Sequence, residues 1–206
     1  MEKKSIENWV PKTELGRRVL NGEFNNIDQV LALGKPILEP EIVDYFLPNL
    51  EKEKLEVRTT QRVTDSGKKN QFRVLMLIGD RKGHVGIGVG KNAKMTLAVE
   101  SALRDAKLNI LKVPFGSGAW EDRGKAKNTL PIKITGKSGS VEITLIPAPR
   151  GIGLACHPYV RKILSFAGVK DIWSFSRGNT SDIYNTAMAV VDAIKKLSTM
   201  RVKSWD

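Results

Sequence analysis

Two glycine-lysine motifs in this 206-residue chain could hold a phosphate: Gly86-Ile87-Gly88-Val89-Gly90-Lys91 and Gly136-Lys137-Ser138. A dinucleotide-binding turn uses glycines to bring the backbone close to a pyrophosphate, and needs its third glycine three residues after the second. Lys91 stands at that position. A nucleoside triphosphate loop needs a glycine ahead of its Gly-Lys pair across four intervening residues, then Ser or Thr after the lysine. In the first motif Val85 and Asn92 fill those places. In the second, Pro131 replaces the glycine and a strand pattern follows where a helix should. Neither motif supports nucleotide chemistry.

Other reactive groupings are sparse. A metal site needs several Cys, His or carboxylate ligands. The chain has one cysteine, Cys156, and two histidines, His157 beside it and the distant His84. Adjacent residues rarely ligate one ion together, so no metal is expected. There is no Gly-x-Ser-x-Gly elbow and no Cys–His pairing with family-like spacing. His84 reads as a turn residue and His157 as a structural residue before a helix. Glu121-Asp122 lies in a polar linker with no apolar surroundings to raise a carboxyl pKa. The chain reads as a protein without catalysis and without a cofactor.

Basic residues remain, and they cluster. Arg62, Lys68, Lys69, Asn70 and Arg73 flank a turn signal at Asp65-Ser66-Gly67. Lys91, Asn92 and Lys94 sit at an expected helix start, where free backbone N–H groups favour phosphate. Arg150 stands beside Gly151 and Gly153, whose missing side chains permit close backbone approach. Lys137 and Arg177 add to the C-terminal part. Singly, each reads equally well as a solvated charge. Together they point to phosphate contacts on a shaped RNA, since A-form RNA is read mainly through backbone and 2′-OH.

The charge balance agrees. The chain carries 34 lysines and arginines against 22 acids, a formal charge of +12. The first 53 residues are slightly acidic, so the excess lies in the remainder. A charge this large repels itself and favours a polyanionic partner. With a single cysteine no internal disulfide can form, which fits a reducing compartment. The N-terminus has no apolar core like that of a signal peptide, and no stretch approaches the ~18 apolar residues of a membrane span. The expectation is a soluble intracellular chain with no membrane partner.

Four segments would position these residues. Residues 1–52 read as an appended segment, with short helices near Asn26–Leu33 and Glu41–Leu47 punctuated by prolines, packing on a protein neighbour or on the main body. Residues 53–111 read as strand, strand, strand, helix. Leu55, Val57 and Thr59 alternate. Arg62–Gln71 reads as a polar loop, Phe72–Ile78 as a buried strand, and Val85, Ile87 and Val89 alternate with glycines to leave one bare strand face. The helix spans about Ala93–Leu111 with Met95, Ala98, Val99, Ala102, Leu103, Ala106 and Ile110 on its apolar stripe. Residues 112–128 read as a linker containing Trp120, favoured as a docking anchor over a base-stacking platform. Residues 129–206 read as a hairpin over Pro131–Ile146 with a Gly136–Ser140 turn, a helix Pro158–Ala167, a strand Val169–Phe175, and a last helix capped by Asn179 or Thr180.

The residues also resemble a known family, that of the fifth small-subunit ribosomal protein. The resemblance rests on Gly67-Lys68, Phe72, Val74, Leu77-Ile78-Gly79-Asp80, Gly83, Val85-Gly86, Gly88 and Gly90-Lys91. It continues through Ala106–Ile110, Gly136–Val141, Pro147–Leu154 and Leu164–Trp173. The segment with Gly16-Arg17 and Ile37–Asp44 is similar to the archaeal and eukaryotic branch. The resemblance implies an α+β protein of two domains: a double-stranded-RNA-binding-like β-β-β-α unit and a C-terminal β-β-α-β-α sandwich. It implies a cytoplasmic constituent of the small ribosomal subunit, binding rRNA near the decoding region and the mRNA entry channel. It implies neighbours in the fourth and eighth small-subunit proteins, and roles in subunit assembly and translational accuracy. By motif, the family's RNA-contacting parts map to Arg62–Gln71, Lys91–Lys94 and Pro147–Gly153. Many relatives on this branch carry cysteines in the linker; Ala119–Asp122 and Lys127–Thr129 carry none. A free double-stranded-RNA-binding regulator is the alternative reading; a nucleotide-dependent enzyme is disfavoured by the broken motif spacing.

Overall fold

A computed structural model describes residues 9–118 and 127–200. Trp120 and the Glu121-Asp122 pair lie outside the described residues. The fold is α+β, with two four-stranded sheets and helices packed on them.

The first sheet contains β1 (Glu51–Thr64), β2 (Gly67–Gly79), β3 (His84–Asn92) and β4 (Ile110–Lys112), antiparallel and in chain order. Val74 to Ile78 is a continuous buried run because both faces of β2 are covered. Val74 and Met76 face helix α4 (Met95–Leu108) and form one core with Ala98 and Ala102. Leu75 and Leu77 face the other way, into a core shared with the C-terminal unit.

The bare glycine face of β3 has a definite occupant. A methyl group at Gly86 or Gly88 would overlap the backbone of Ala106, and one at Gly90 would overlap that of Ala98 and Ala102. The face therefore admits α4 and is closed to any ligand. The helix is also shorter than its periodicity predicts. Asn109 ends it, and Ile110–Lys112 turns into β4 beside β3, with the Val113 N–H donated to the Gly83 carbonyl at 2.7 Å. Ile110 fits the helical stripe by spacing, but its backbone is spent on sheet pairing.

The second sheet has the order β5 (Ile134–Ser138), β6 (Val141–Pro147), β8 (Ile172–Arg177) and β7 (Leu154–Ala155), the last pair parallel. Helix α5 (Pro158–Ala167) starts at the proline and ends at Gly168, whose φ of +91° suits only glycine well. Helix α6 (Ile183–Ser198) lies so close to β5 that a methyl at Gly136 would overlap Ala189. Gly136-Lys137-Ser138 is thus extended strand, and the turn is confined to Gly139-Ser140. The N-cap of α6 is Asp182; neither Asn179 nor Thr180 holds that place.

Residues 13–47 form three short helices: α1 (Glu14–Leu20), α2 (Ile27–Ala32) and α3 (Pro40–Phe46). The first was not legible as a helix, though Thr13 caps it by accepting the Gly16 N–H at 3.1 Å. Val19, Phe24, Ile27, Val30, Ile37, Ile42 and Val43 pack with Ile110, so this segment covers the main body of its own chain. Glu39 pins its start by accepting from Trp9 Nε1 at 2.8 Å and from the backbone N–H groups of Lys12 and Thr13 at 2.9 and 2.6 Å. Burial raises the Glu39 pKa, and these donated hydrogen bonds outweigh it, leaving the carboxyl below its ordinary value.

The two sheets do not stand apart. Leu55, Leu75, Leu77, Val85 and Ile87 of the first share one core with Ile143, Leu145, Ile163, Leu164 and Ile194 of the second unit. Polar ties surround it. Lys162 Nζ meets Glu53 Oε1 at 2.6 Å, and the Arg81 N–H donates to the Phe166 carbonyl at 2.9 Å. Burial on this scale makes the two units one mechanical piece.

Candidate nucleic-acid interface

The stretch Arg62–Gln71 is a ribbon rather than a loop. β1 and β2 stay paired to Thr64↔Gly67, leaving only Asp65 and Ser66 in the turn. The last pairing with β3 is Phe72↔Asn92. Five further residues per strand carry the arm about 17 Å beyond that edge. Every residue from Gln61 to Gln71 except half-buried Thr64 is exposed. The arm is held by backbone pairing and by local bonds such as Thr64 Oγ1 donating to the Gly67 carbonyl at 2.9 Å. Its polar composition reads as loop because it has no core; pairing alone makes it strand.

Register divides the predicted residues between the arm's two faces. Arg62 opposes Lys69, with Arg58↔Arg73 and Arg73↔Lys91 on the same side. Lys68 opposes Val63, and Asn70 opposes Gln61, on the other side, where Asn92 also lies opposite Phe72. Arg62, Lys68 and Lys69 have no ion-pair partner among the described residues. A projecting basic ribbon with cations on both faces can meet phosphates on two sides of a groove.

Arg73 has an internal role that the sequence did not disclose. Its guanidinium carbon lies 4.2 Å from the centre of the Tyr184 ring, on α6. Arg58 on the same face meets Asp182 at 3.5 Å and also pairs with Glu56. These contacts brace the root of the arm against α6.

The start of α4 lies at the same end of the sheet. Lys91 and Asn92 are the last residues of β3, and Lys94 is the helix N-cap. No side chain caps the helix N-terminus and its first turn holds no acidic residue. Asn92 Oδ1 accepts the Lys94 N–H at 3.3 Å. Lys91 and Lys94 are exposed beside the helix's first N–H groups.

The bent loop before β7 is built differently from expectation. Gly151 and Gly153 have φ of +89° and +73°, with open space where a side chain would go. Their N–H groups nevertheless point inward, donating to Asp171 Oδ1 at 3.1 and 2.8 Å. Asn128 Nδ2 donates to Asp171 Oδ2 at 2.8 Å. Burial would raise the Asp171 pKa, but this set of donors holds it below its ordinary value. The loop's backbone donors are consumed internally, so an incoming phosphate would find the exposed Arg150 side chain and not those N–H groups.

Lys137 and Arg177 are brought together on the outer face of the second sheet, either side of Glu142. The Lys137 N–H is donated to Asp192 Oδ2 at 3.0 Å, while its side chain is exposed.

His84 is the residue whose surroundings the sequence most understated. It opens β3 with Nδ1 2.6 Å from Asp80 Oδ2 and Nε2 3.0 Å from Asp28 Oδ1. Asp28 also meets Lys112 Nζ at 2.7 Å. Burial alone would lower the His84 pKa; the two carboxylates outweigh it and raise it above the ordinary value. This is an anchor for α2, not a catalytic base. Among the described residues no group of His, Cys, Asp and Glu is arranged to hold a metal, and no helix is long and apolar enough to cross a membrane.

Comparison with known proteins places this geometry in a family. The profile for "Ribosomal protein S5, N-terminal domain" matches residues 50–114, and that for "Ribosomal protein S5, C-terminal domain" matches residues 136–206. The "Small ribosomal subunit protein uS5" of Methanosphaera stadtmanae is 48% identical over 202 residues, covering 98% of this chain and 89% of the relative. That of Methanoregula boonei is 45% identical over 193 residues, 94% of each chain. That of Nanoarchaeum equitans is 43% identical over 214 residues, covering 98% and 93%.

Proposed function

The chain belongs to the ribosomal protein S5 family, and from that membership we propose that it is a structural, non-enzymatic constituent of the small ribosomal subunit that binds subunit rRNA. The observation that carries the binding reading is the basic arm, in which Arg62, Lys68 and Lys69 are exposed, without ionic partners among the described residues, at the end of an unsupported ribbon. The mechanism is electrostatic and shape-based. The arm's cations displace counterions from RNA phosphates. Lys91, Lys94 and the open start of α4 offer a second phosphate contact, and Arg150, Lys137 and Arg177 offer others. The shared core fixes the distances between these contacts, so a particular RNA surface is met by a rigid set of charges.

In the subunit this arrangement would lie near the decoding region and the mRNA entry channel, beside other ribosomal proteins including the fourth and eighth, in support of assembly and accuracy. Locating the protein in intact small subunits tests the reading. Stable co-sedimentation with the subunit and contact of the arm with rRNA are expected. Binding to arbitrary duplexes with no subunit association would favour a free duplex-binding regulator instead.

A further inference from the structure

We propose that the outer face of the second sheet is a further RNA-contacting surface, one that takes unpaired bases by stacking on Trp173 and Phe175. The inner face of that sheet is filled: Ile143, Leu145 and Ile172 are fully buried in the shared core with α5 and α6. Among the described residues the outer face has no such cover. Trp173 is 41% exposed and Phe175 is 66% exposed. Two residues apart on β8, they project from the same face about 7 Å from one another, far enough to present separate rings.

The rest of the face fits this ligand. Ile146 and Ala155 flank Trp173 in register, and Thr144 flanks Phe175. Thr135 stands beside Thr144, their hydroxyl oxygens 3.1 Å apart, so a donor and an acceptor lie next to the rings. The next row along the face is Lys137–Glu142–Arg177. Neither Lys137 nor Arg177 has an ion-pair partner among the described residues, so both are open to phosphate. Aromatic rings with cations at their edge are what an unpaired strand needs, because every base has a π face and every nucleotide a charge. The chain's net charge of +12 favours a polyanion over an ordinary protein surface here. Glu142 works against a phosphate at the centre of its row, which places the backbone toward the two cations and the bases over the rings.

This inference rests on the proposed function only in taking RNA as the partner, and its test is separable from that of the arm. The full chain is titrated with fluorescently labelled single-stranded octamers of uridine and of adenosine, and separately with an RNA duplex. Trp173→Ala with Phe175→Ala should weaken octamer binding about tenfold or more. Trp173→Leu with Phe175→Leu, which keeps apolar area but removes the π faces, should weaken it comparably. Phe175 is mostly exposed but Trp173 is more than half covered, so the leucine pair, which keeps apolar area, is the variant whose thermal midpoint should stay close to that of the wild type. Lys68→Glu with Lys69→Glu should instead act mainly on the duplex. Ultraviolet irradiation of subunits should give RNA adducts at Trp173 or Phe175. Wild-type octamer affinity in the leucine variant overturns the proposal. So does release of a neighbouring protein, without loss of octamer binding, from subunits built with the alanine variant; that outcome would make the face a protein-docking surface.

Discussion

Asp28 and His84, fifty-six residues apart in the chain, meet with Oδ1 and Nε2 separated by 3.0 Å. Through this pair α2 is fastened to the first residue of β3, and Asp80 holds the other side of the ring at 2.6 Å. An imidazole held between two carboxylates is the polar counterpart of the apolar contact that seats the N-terminal segment.

The sign of its pH dependence follows from the direction of each shift. His84 binds its proton more tightly in the folded chain, because Asp80 and Asp28 outweigh the opposing effect of burial. Its stabilisation is complete below the unfolded pKa of about 6.5 and is lost as pH rises through the higher folded value. Asp28 and Asp80 are lowered, their hydrogen bonds outweighing burial, so their stabilisation is present above the ordinary carboxyl range and is lost as pH falls through the lower folded values. His84→Gln should cost about 1–2 kcal/mol near pH 6 and should flatten the fall in thermal midpoint toward alkaline pH. Titration by NMR is direct, since the chain has two histidines. A folded His84 that titrates at or below the ordinary value would refute the assignment.

Charge reversal in the arm separates binding from folding. Lys68→Glu with Lys69→Glu alters exposed side chains that have no ionic partner among the described residues. Stability should change by no more than about 0.5 kcal/mol for each substitution. RNA affinity should drop, and the slope of log K against log salt should become shallower by about one for each phosphate that is no longer neutralised. Filter binding over a salt series reads both. An unchanged affinity would remove the arm from the interface.

Glycines in different places should fail in different ways. Gly88→Ala drives a methyl into the backbone of Ala102 and Ala106, where neither strand nor helix can yield locally. A loss of about 3 kcal/mol or more is expected by denaturant titration. Gly151→Ala meets open space but must adopt a φ of +89°, so its cost should be about 1–2 kcal/mol. Equal costs at the two sites would contradict the packing described for α4.

Asp171 should control the order of the bent loop. Asp171→Ala strands the N–H groups of Gly151 and Gly153 and the amide of Asn128, at a cost of about 3 kcal/mol. Amide exchange at residues 151 and 153 should rise well above that of α5. In the wild type the same clamp should weaken as pH falls through the lowered Asp171 pKa, where burial opposes and hydrogen bonding maintains the charge. Slow exchange at both glycines in the variant would show that the carboxylate is dispensable.

Much of the architecture was legible where local chemistry is strong. Pro158 and Gly168 bound α5 as their fixed and left-handed backbone angles dictate. The alternation in β3 announced a bare face, and a helix filled it. The arm was harder, because a solvated ribbon without a core has the composition of a loop, and nothing local distinguishes the two. The last turn of the expected α4 failed for a related reason: Ile110 suits a helical stripe, but β3 offered it a better backbone partner. In the sequence Arg73 is indistinguishable from the other candidate phosphate contacts of the arm, since its stacking partner Tyr184 is more than a hundred residues away.

By itself the sequence determined the charge excess, the strand and helix periodicities, the positions where only glycine fits, and the family motifs. All are properties of residue type and short spacing, which the chain carries before it folds. Tertiary structure alone decided which polar groups are consumed and which stay free. Asp171 takes the loop's N–H groups, Asp28 and Asp80 take His84, and Tyr184 takes Arg73, while Arg62, Lys68 and Lys69 are left to solvent. A hydrogen bond or ion pair depends on distances of a few ångströms between residues far apart in sequence, and only packing sets those distances.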